Sequence, residues 1–316
     1  VTTGAEADGE LQRATQAGLT AALAVDCQRD LQEWAAAYPA LFPSRPFDAR
    51  LFSSVALANA FGVPGETSER LRVATRASLW VFAADWVVDY TAKTYDEVEA
   101  VVRECMAVVR PRPPGEIADP VQNGTSTVVL ELARCLADIQ TDLAAVASCD
   151  SHWGMWRDQV RRYLAAVAQE WEWKAAHARR EQDGVTPELT FERYLANADN
   201  FGSSLVNIAH WIFTCEPAAL RHLEDLWKVS EQVQRVLRLL NDLASYERDL
   251  TWGDLNALML GVDRAAVTAR IAVLVDECHE MLRPLRVTCP AEAVYLERQI
   301  GYSTGFYGTT DYWGSL

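Results

Sequence analysis

The chain has 316 residues and a formal charge of −15, and half of its residues are apolar. That is material for one large core or two small ones. The acidic balance argues against nucleic acid, which needs a basic surface, and against docking on an anionic membrane.

Helical periodicity predicts a chain of helices with little else. Residues 1–10 are polar and acidic, without the apolar run of a secretory signal, and are expected to form a disordered tail. Residues 11–316 are expected to form a single helical domain. The first long amphipathic helix covers 11–38 and stops at Pro39. A second covers 48–61, closed by Gly62 and Pro64. Thr67 caps a third, which runs through Asp85 and Asp89. A fourth starts at Thr94 and stops before Pro111, where a Pro-rich loop extends to Gly124. Helices over 127–147 and 153–180 follow, then a break at 184–187 and a helix start at Pro187. The next helical pattern, 191–213, contains Asn197, Asn200 and Gly202, which predict a kink or local unwinding. Helices over 217–248, 264–282 and 290–306 complete an all-α antiparallel bundle.

No stretch approaches roughly 18 uninterrupted apolar residues, so no membrane span is expected. The seven cysteines are odd in number and unclustered. They read as reduced, mostly buried thiols of a cytoplasmic protein, with no zinc spacing. The five histidines form no metal pattern either.

Two stripes carry the chemistry. Asn241, Ser245 and Asp249 are spaced four and four, so on a helix three oxygen-bearing side chains share one face, about 6 Å of rise apart. Three hard oxygens in a row suit a magnesium ion that keeps other positions for water and phosphate. Upstream, Asp85 and Asp89 share a face of a segment otherwise made of Trp80, Val81, Phe82, Trp86, Val87 and Val88. A helix apolar nearly all round is buried, and ionised carboxylates there need a cation or a partner. Two such stripes facing each other would hold a diphosphate ester by its charged end.

At these residues the chain resembles the class I terpene synthases, of the kind found among bacterial labdane-related diterpene synthases. The family motif N-D-x-x-S-x-x-x-E reads here N-D-L-A-S-Y-E-R-D over 241–249, with Asp249 in place of Glu. Gly253-Asp254-Leu255-Asn256 continues the likeness. The family's D-D-x-x-D motif is degenerate, because Trp86 stands at its second position. The resemblance implies the class I all-α bundle and Asp85, Asp89, Asn241, Ser245 and Asp249 as metal ligands. It also implies Mg2+ as cofactor, three ions when diphosphate is bound. Arg248 would donate to the diphosphate.

The departures matter as much. Many bacterial members carry a diphosphate-sensing Arg after a Tyr-Leu pair, but Tyr194-Leu195 is followed by no Arg. Many end in an Arg-Tyr pair that reaches phosphate, where this chain has Asp311-Tyr312. Tyr312 is the surviving candidate there. The run 194–198 resembles the Y-x-x-N-A/G of plant class I synthases, which makes Asn197 a candidate for diphosphate binding and points to a copalyl-type C20 substrate. A separate class II cyclase would then supply it, since the chain has no D-x-D-D motif. For the carbocation, aromatic faces are required, and Phe82, Phe201 and Phe306 are the expected ones. The alternatives are a sesquiterpene synthase acting on farnesyl diphosphate and an inactive helical scaffold. A homodimer is compatible with the sequence.

Overall fold

The computed structural model describes residues 4–110, 124–183 and 189–314. Twelve α-helices run through them: α1 Gly4–Ala35, α2 Ala49–Gly62, α3 Ser68–Trp86, α4 Tyr95–Val108, α5 Thr127–Ala144, α6 Cys149–Asp183, α7 Phe191–Ala196, α8 Ser203–Thr214, α9 Pro217–Leu220, α10 Leu223–Trp252, α11 Arg264–Thr288 and α12 Pro290–Tyr307. No β-strand occurs among these residues, so the fold is all-α. The Pro-rich loop and the helix start at Pro187 fall largely outside the described residues.

Local signals set most of the helix starts. Thr67 accepts from the Arg70 amide at the head of α3, and Asp48 accepts from Arg50 and Leu51 at the head of α2. Thr94 and Glu97 form a reciprocal capping box on α4. Three starts differ from expectation. α1 begins at Gly4, ahead of the expected start at Leu11. The expected helix over 217–248 is two, because the chain turns at Arg221 and His222 between α9 and α10. α6 starts at Cys149, four residues early.

α8 packs on α3, α6 and α10, α10 packs on α12, and α2 packs on α3 and α12. Trp80, Trp156, Trp211, Tyr163 and Tyr194 are the largest fully buried side chains, so much of the tryptophan content serves as core. All seven cysteines are free, and only Cys215 is not fully buried. Among the described residues no helix is long and apolar enough to cross a membrane.

The kink expected near Gly202 is present. α7 ends at Ala196, a 3-10 turn covers Ala198–Phe201, and α8 restarts at Ser203. Gly202 sits at φ 76°, where side chains are disfavoured, and a Cβ there would lie 2.6 Å from Val81 Cγ1. The break can therefore press against α3 only if this residue is glycine.

Candidate active site

One wall of the central cavity is the C-terminal end of α3. Its last turn widens into a π-helical turn over Val87–Thr91, a distortion common at functional positions. Asp85 precedes that turn and Asp89 lies on it; both line the cavity. Their carboxyls touch, and both are held above the usual carboxylate range, first by burial and then by neighbouring negative charge. Trp86, at the missing aspartate position, stacks on Tyr90 at 4.6 Å.

The opposite wall is α10. Asn241, Arg248 and Asp249 line the cavity. Asp249 is held from three sides: its Oδ2 accepts from Ser245 at 2.6 Å and from Asn256 at 2.8 Å, and its Oδ1 from Arg248 at 3.1 Å. Asn256 reaches back because Gly253 turns the chain out of α10 at φ 71°. Burial nevertheless leaves the Asp249 carboxyl above its ordinary value. Asp242, one step round the helix, accepts from Tyr194 at 2.9 Å, has a buried Oδ2 with no partner, and is pushed up to about 7 by burial.

The broken helix closes the third side, with Asn200, Phe201, Gly202 and Ser203 facing the cavity. It is gripped from α10. Arg238 donates to the Asn197 carbonyl at 3.3 Å and to Asn200 Oδ1, pairs with Glu170 at 2.7 Å, and lies 3.9 Å over the Tyr194 ring. Gln234 accepts from the Ser204 amide at 2.9 Å. Arg238 is buried, faces the cavity and leaves its Nε without a partner.

The segment after α12 covers the mouth. Tyr312 packs on Phe82 at 5.0 Å, and Trp313 packs on Phe82 at 5.5 Å and Trp86 at 5.9 Å. Asp311 pairs with Arg248 at 2.6 Å. The acid standing where many relatives have arginine thus grips the arginine of the other motif.

The structure brings together Asp85, Asp89, Asn241, Arg248, Asp249, Phe82, Phe201 and Tyr312 around one cavity. Three expected residues do not line it. The Ser245 hydroxyl is buried and given to Asp249. The Asn197 amide is spent on the Ala166 carbonyl of α6 at 2.9 Å, which ties the helix break to that helix. Phe306 stands behind Tyr302 and Tyr312, at 5.5 and 4.6 Å. Among the cavity residues that escaped the sequence reading are Tyr90, Glu170, Arg238 and Asp254. Arg238 could have been found, since it lies three residues before Asn241 on the same helical face.

These donors fit a divalent cation. Among the described residues no three acidic, histidine or cysteine side chains converge on one point. The oxygens are instead divided between two walls. Asp85, Asp89, Asp254 and Glu170 crowd one end, and burial and then neighbouring carboxylates keep Asp85 and Asp89 raised despite the nearby Lys174. Hard oxygens in surplus, with room between for waters and phosphate, match the demands of magnesium.

The comparisons agree with that geometry. Residues 76–278, more than half of the chain, match the family model described as terpene synthase family 2, C-terminal metal binding. Over 290 residues the chain is 25% identical to the ent-pimara-9(11),15-diene synthase of Streptomyces sp. (strain KO-3988), covering 90% of this chain and 91% of that one. Among solved structures, 2-methylisoborneol synthase from Streptomyces coelicolor A3(2) superposes with a TM-score of 0.66 at 19% identity, over 93% of each chain. Isoprene synthase from grey poplar, solved with three Mg2+ ions and dimethylallyl-S-thiolodiphosphate, gives 0.68 at 16% identity over 91% of this chain. The chain spans 55% of that enzyme's length. With two facing oxygen stripes on an all-α bundle and the family match running through both, the chain belongs to terpene synthase family 2 and is a magnesium-dependent class I terpene synthase.

Proposed function

We propose that the enzyme ionises an allylic C20 diphosphate, of copalyl type, and steers the carbocation to a hydrocarbon or alcohol. The observation that carries the C20 reading is the near-full-length relation to a diterpene synthase. The plant-like run from Tyr194 to Ala198 supports a pre-cyclised substrate, which a separate class II cyclase would provide. In this reading Asp85 and Asp89 serve one wall and Asn241 and Asp249 the other, with Ser245 holding Asp249 from behind, around three magnesium ions. Magnesium, when bound, supplies the Lewis-acid charge that makes diphosphate a leaving group.

The chain's own residues do the rest. Arg248 leaves Asp311 and donates to the phosphate oxygens, and Arg238 offers its unpartnered Nε from the floor. Arg238 stands in for the sensing arginine absent after Leu195. Phe82 and Tyr312 cover the mouth and keep water from the cation. Phe201, on the helix break, turns a ring towards the cavity. Such a face holds positive charge by roughly 0.5–2 kcal/mol, enough to redirect products.

The test is turnover of copalyl-type, geranylgeranyl and farnesyl diphosphates by the purified protein with magnesium, with products read by gas chromatography and mass spectrometry. Copalyl-type diphosphate should be consumed faster than farnesyl diphosphate; the reverse order overturns the C20 reading. Phe201→Ala should still release diphosphate but change the product mixture. An unchanged mixture would reduce Phe201 to packing.

A further inference from the structure

The chain holds only three lysines, Lys93, Lys174 and Lys228. Lys93 and Lys228 lie on the surface. Lys174, on α6, points at the acidic end of the cavity. Its ammonium pairs with Asp254, lies 3.8 Å from Asp89 Oδ1 and 3.4 Å from the Asp89 carbonyl, and sits 5.1 Å over the Tyr90 ring. The Tyr90 hydroxyl donates to the same Asp254. The side chain is 20% exposed, as is that of Asp89, so the group is partly desolvated yet still open to solvent.

Residue type is informative here. The site's other cations, Arg238 and Arg248, are planar forks, each fixed by two or more partners. Lysine is a compact point charge on a four-carbon stem with three rotatable donors, and it changes partner at little geometric cost. Asp89, which Lys174 touches through both side chain and backbone, sits on the π-helical turn rather than on regular helix. A cation beside a ligand carboxylate lowers the affinity of a second cation for that carboxylate, unless an anion arrives to receive the first.

We propose that Lys174 is a tethered counter-cation and a positioning residue. It holds Asp89 and Asp254 while the site lacks metal, opposes magnesium entering alone, and gives way when diphosphate arrives and offers the ammonium another anion. Metal and diphosphate then bind cooperatively, and ionisation waits for both. This rests on the assignment of Asp89 as a ligand made above.

The experiment is calorimetric titration of magnesium into the purified enzyme, with and without inorganic diphosphate, for wild type, Lys174→Met, Lys174→Gln, Lys174→Arg and Asp89→Asn. In wild type, inorganic diphosphate should tighten magnesium binding about tenfold or more. In Lys174→Met or Lys174→Gln, whichever folds, magnesium alone should bind about fivefold tighter than in wild type, and the gain from diphosphate should shrink. Lys174→Arg keeps the charge and should track wild type in the metal-only titration. Metal-only affinity that is unchanged or weaker in the neutral variants overturns the counter-cation role. Asp89→Asn should weaken magnesium binding under both conditions. If it does not, the ligand assignment fails and this inference falls with it. That outcome is distinct from a failure confined to Lys174.

Discussion

The two walls of the cavity carry similar oxygen atoms in opposite states of readiness. On α10 the donors satisfy one another: Ser245 and Asn256 both give hydrogen bonds to Asp249, and Arg248 braces it. On the α3 side Asp85 and Asp89 press on each other in a buried setting, with Lys174 the nearest cation. The first wall is preorganised by its own bonds and owes stability to them. The second is held by the packing around it, and in the proposed reading an arriving dication would relieve its crowding. Ligand groups can thus be placed either by mutual hydrogen bonds or by burial against their own preference, and the two routes respond differently to mutation, metal and pH.

The largest expected effect is on turnover, where the walls should agree. Asp85→Ala and Asn241→Ala should each lower kcat at least about 10³-fold, ~4 kcal/mol in the barrier, while helicity by circular dichroism stays intact. Near-normal product formation by either variant, or by wild type in chelator, would remove that wall from the metal site. Asp249 should show a graded response. Asp249→Glu restores the length common in the family and should keep activity within about tenfold, whereas Asp249→Asn should lose about a hundredfold. Equal rates for Asn and Asp at this position would mean that its hydrogen bonds matter and its charge does not.

Stability should separate the walls where turnover cannot. Asp249→Ala strands the buried partners Ser245 and Asn256 and should cost about 1–3 kcal/mol in metal-free unfolding. Asp85→Ala removes a repelling charge and should leave the metal-free thermal midpoint unchanged or higher. If both variants lose stability equally, the contrast between preorganised and strained walls is wrong.

How much of this was legible in the sequence follows the same division. The α10 wall was readable because one continuous helix carries it, and four-residue spacing translates directly into a shared face. The helix break was readable because Asn197, Asn200 and Gly202 are poor helix residues. The partners of the α3 wall were not, because they come from distant segments: Lys174 from α6 and Asp254 from the turn after α10 meet Asp89 only through tertiary packing. Ser245, Asn197 and Phe306 failed as cavity residues for a related reason. Spacing says which face a side chain shares but not what it is bonded to, and each found a nearer partner. The charge reversal at Asp311 reads as a loss in one dimension, and only the fold shows it as a partner for Arg248.

The smallest expected effect is a pH dependence that distinguishes charge held against its preference from charge that is satisfied. Burial, then Asp254 and Glu170, push Asp85 up to about 7 in the folded protein, and Asp89 is raised with it. In the unfolded chain an aspartate titrates near ~3.9. Between these values the folded state binds more protons than the unfolded one, so stability falls as pH rises through the window. The contribution is fully present below about pH 4 and is lost as pH passes about 7. For one such group the step from pH 6 to pH 8 is worth on the order of 1 kcal/mol, a midpoint shift of a degree or two in a chain of this size. The metal-free enzyme should therefore melt slightly higher at pH 6 than at pH 8. Asp85→Asn carries no proton to release and should flatten the dependence. Magnesium with inorganic diphosphate should flatten it as well, because it favours the ionised carboxylates. Asp89, Asp242 and Asp249 are raised as well, so Asp85→Asn should reduce the slope without erasing it, and the double variant with Asp242→Asn should reduce it further. A metal-free midpoint that rises from pH 6 to pH 8 would mean that the α3 carboxylates are ionised and satisfied, and the difference between the two walls would disappear.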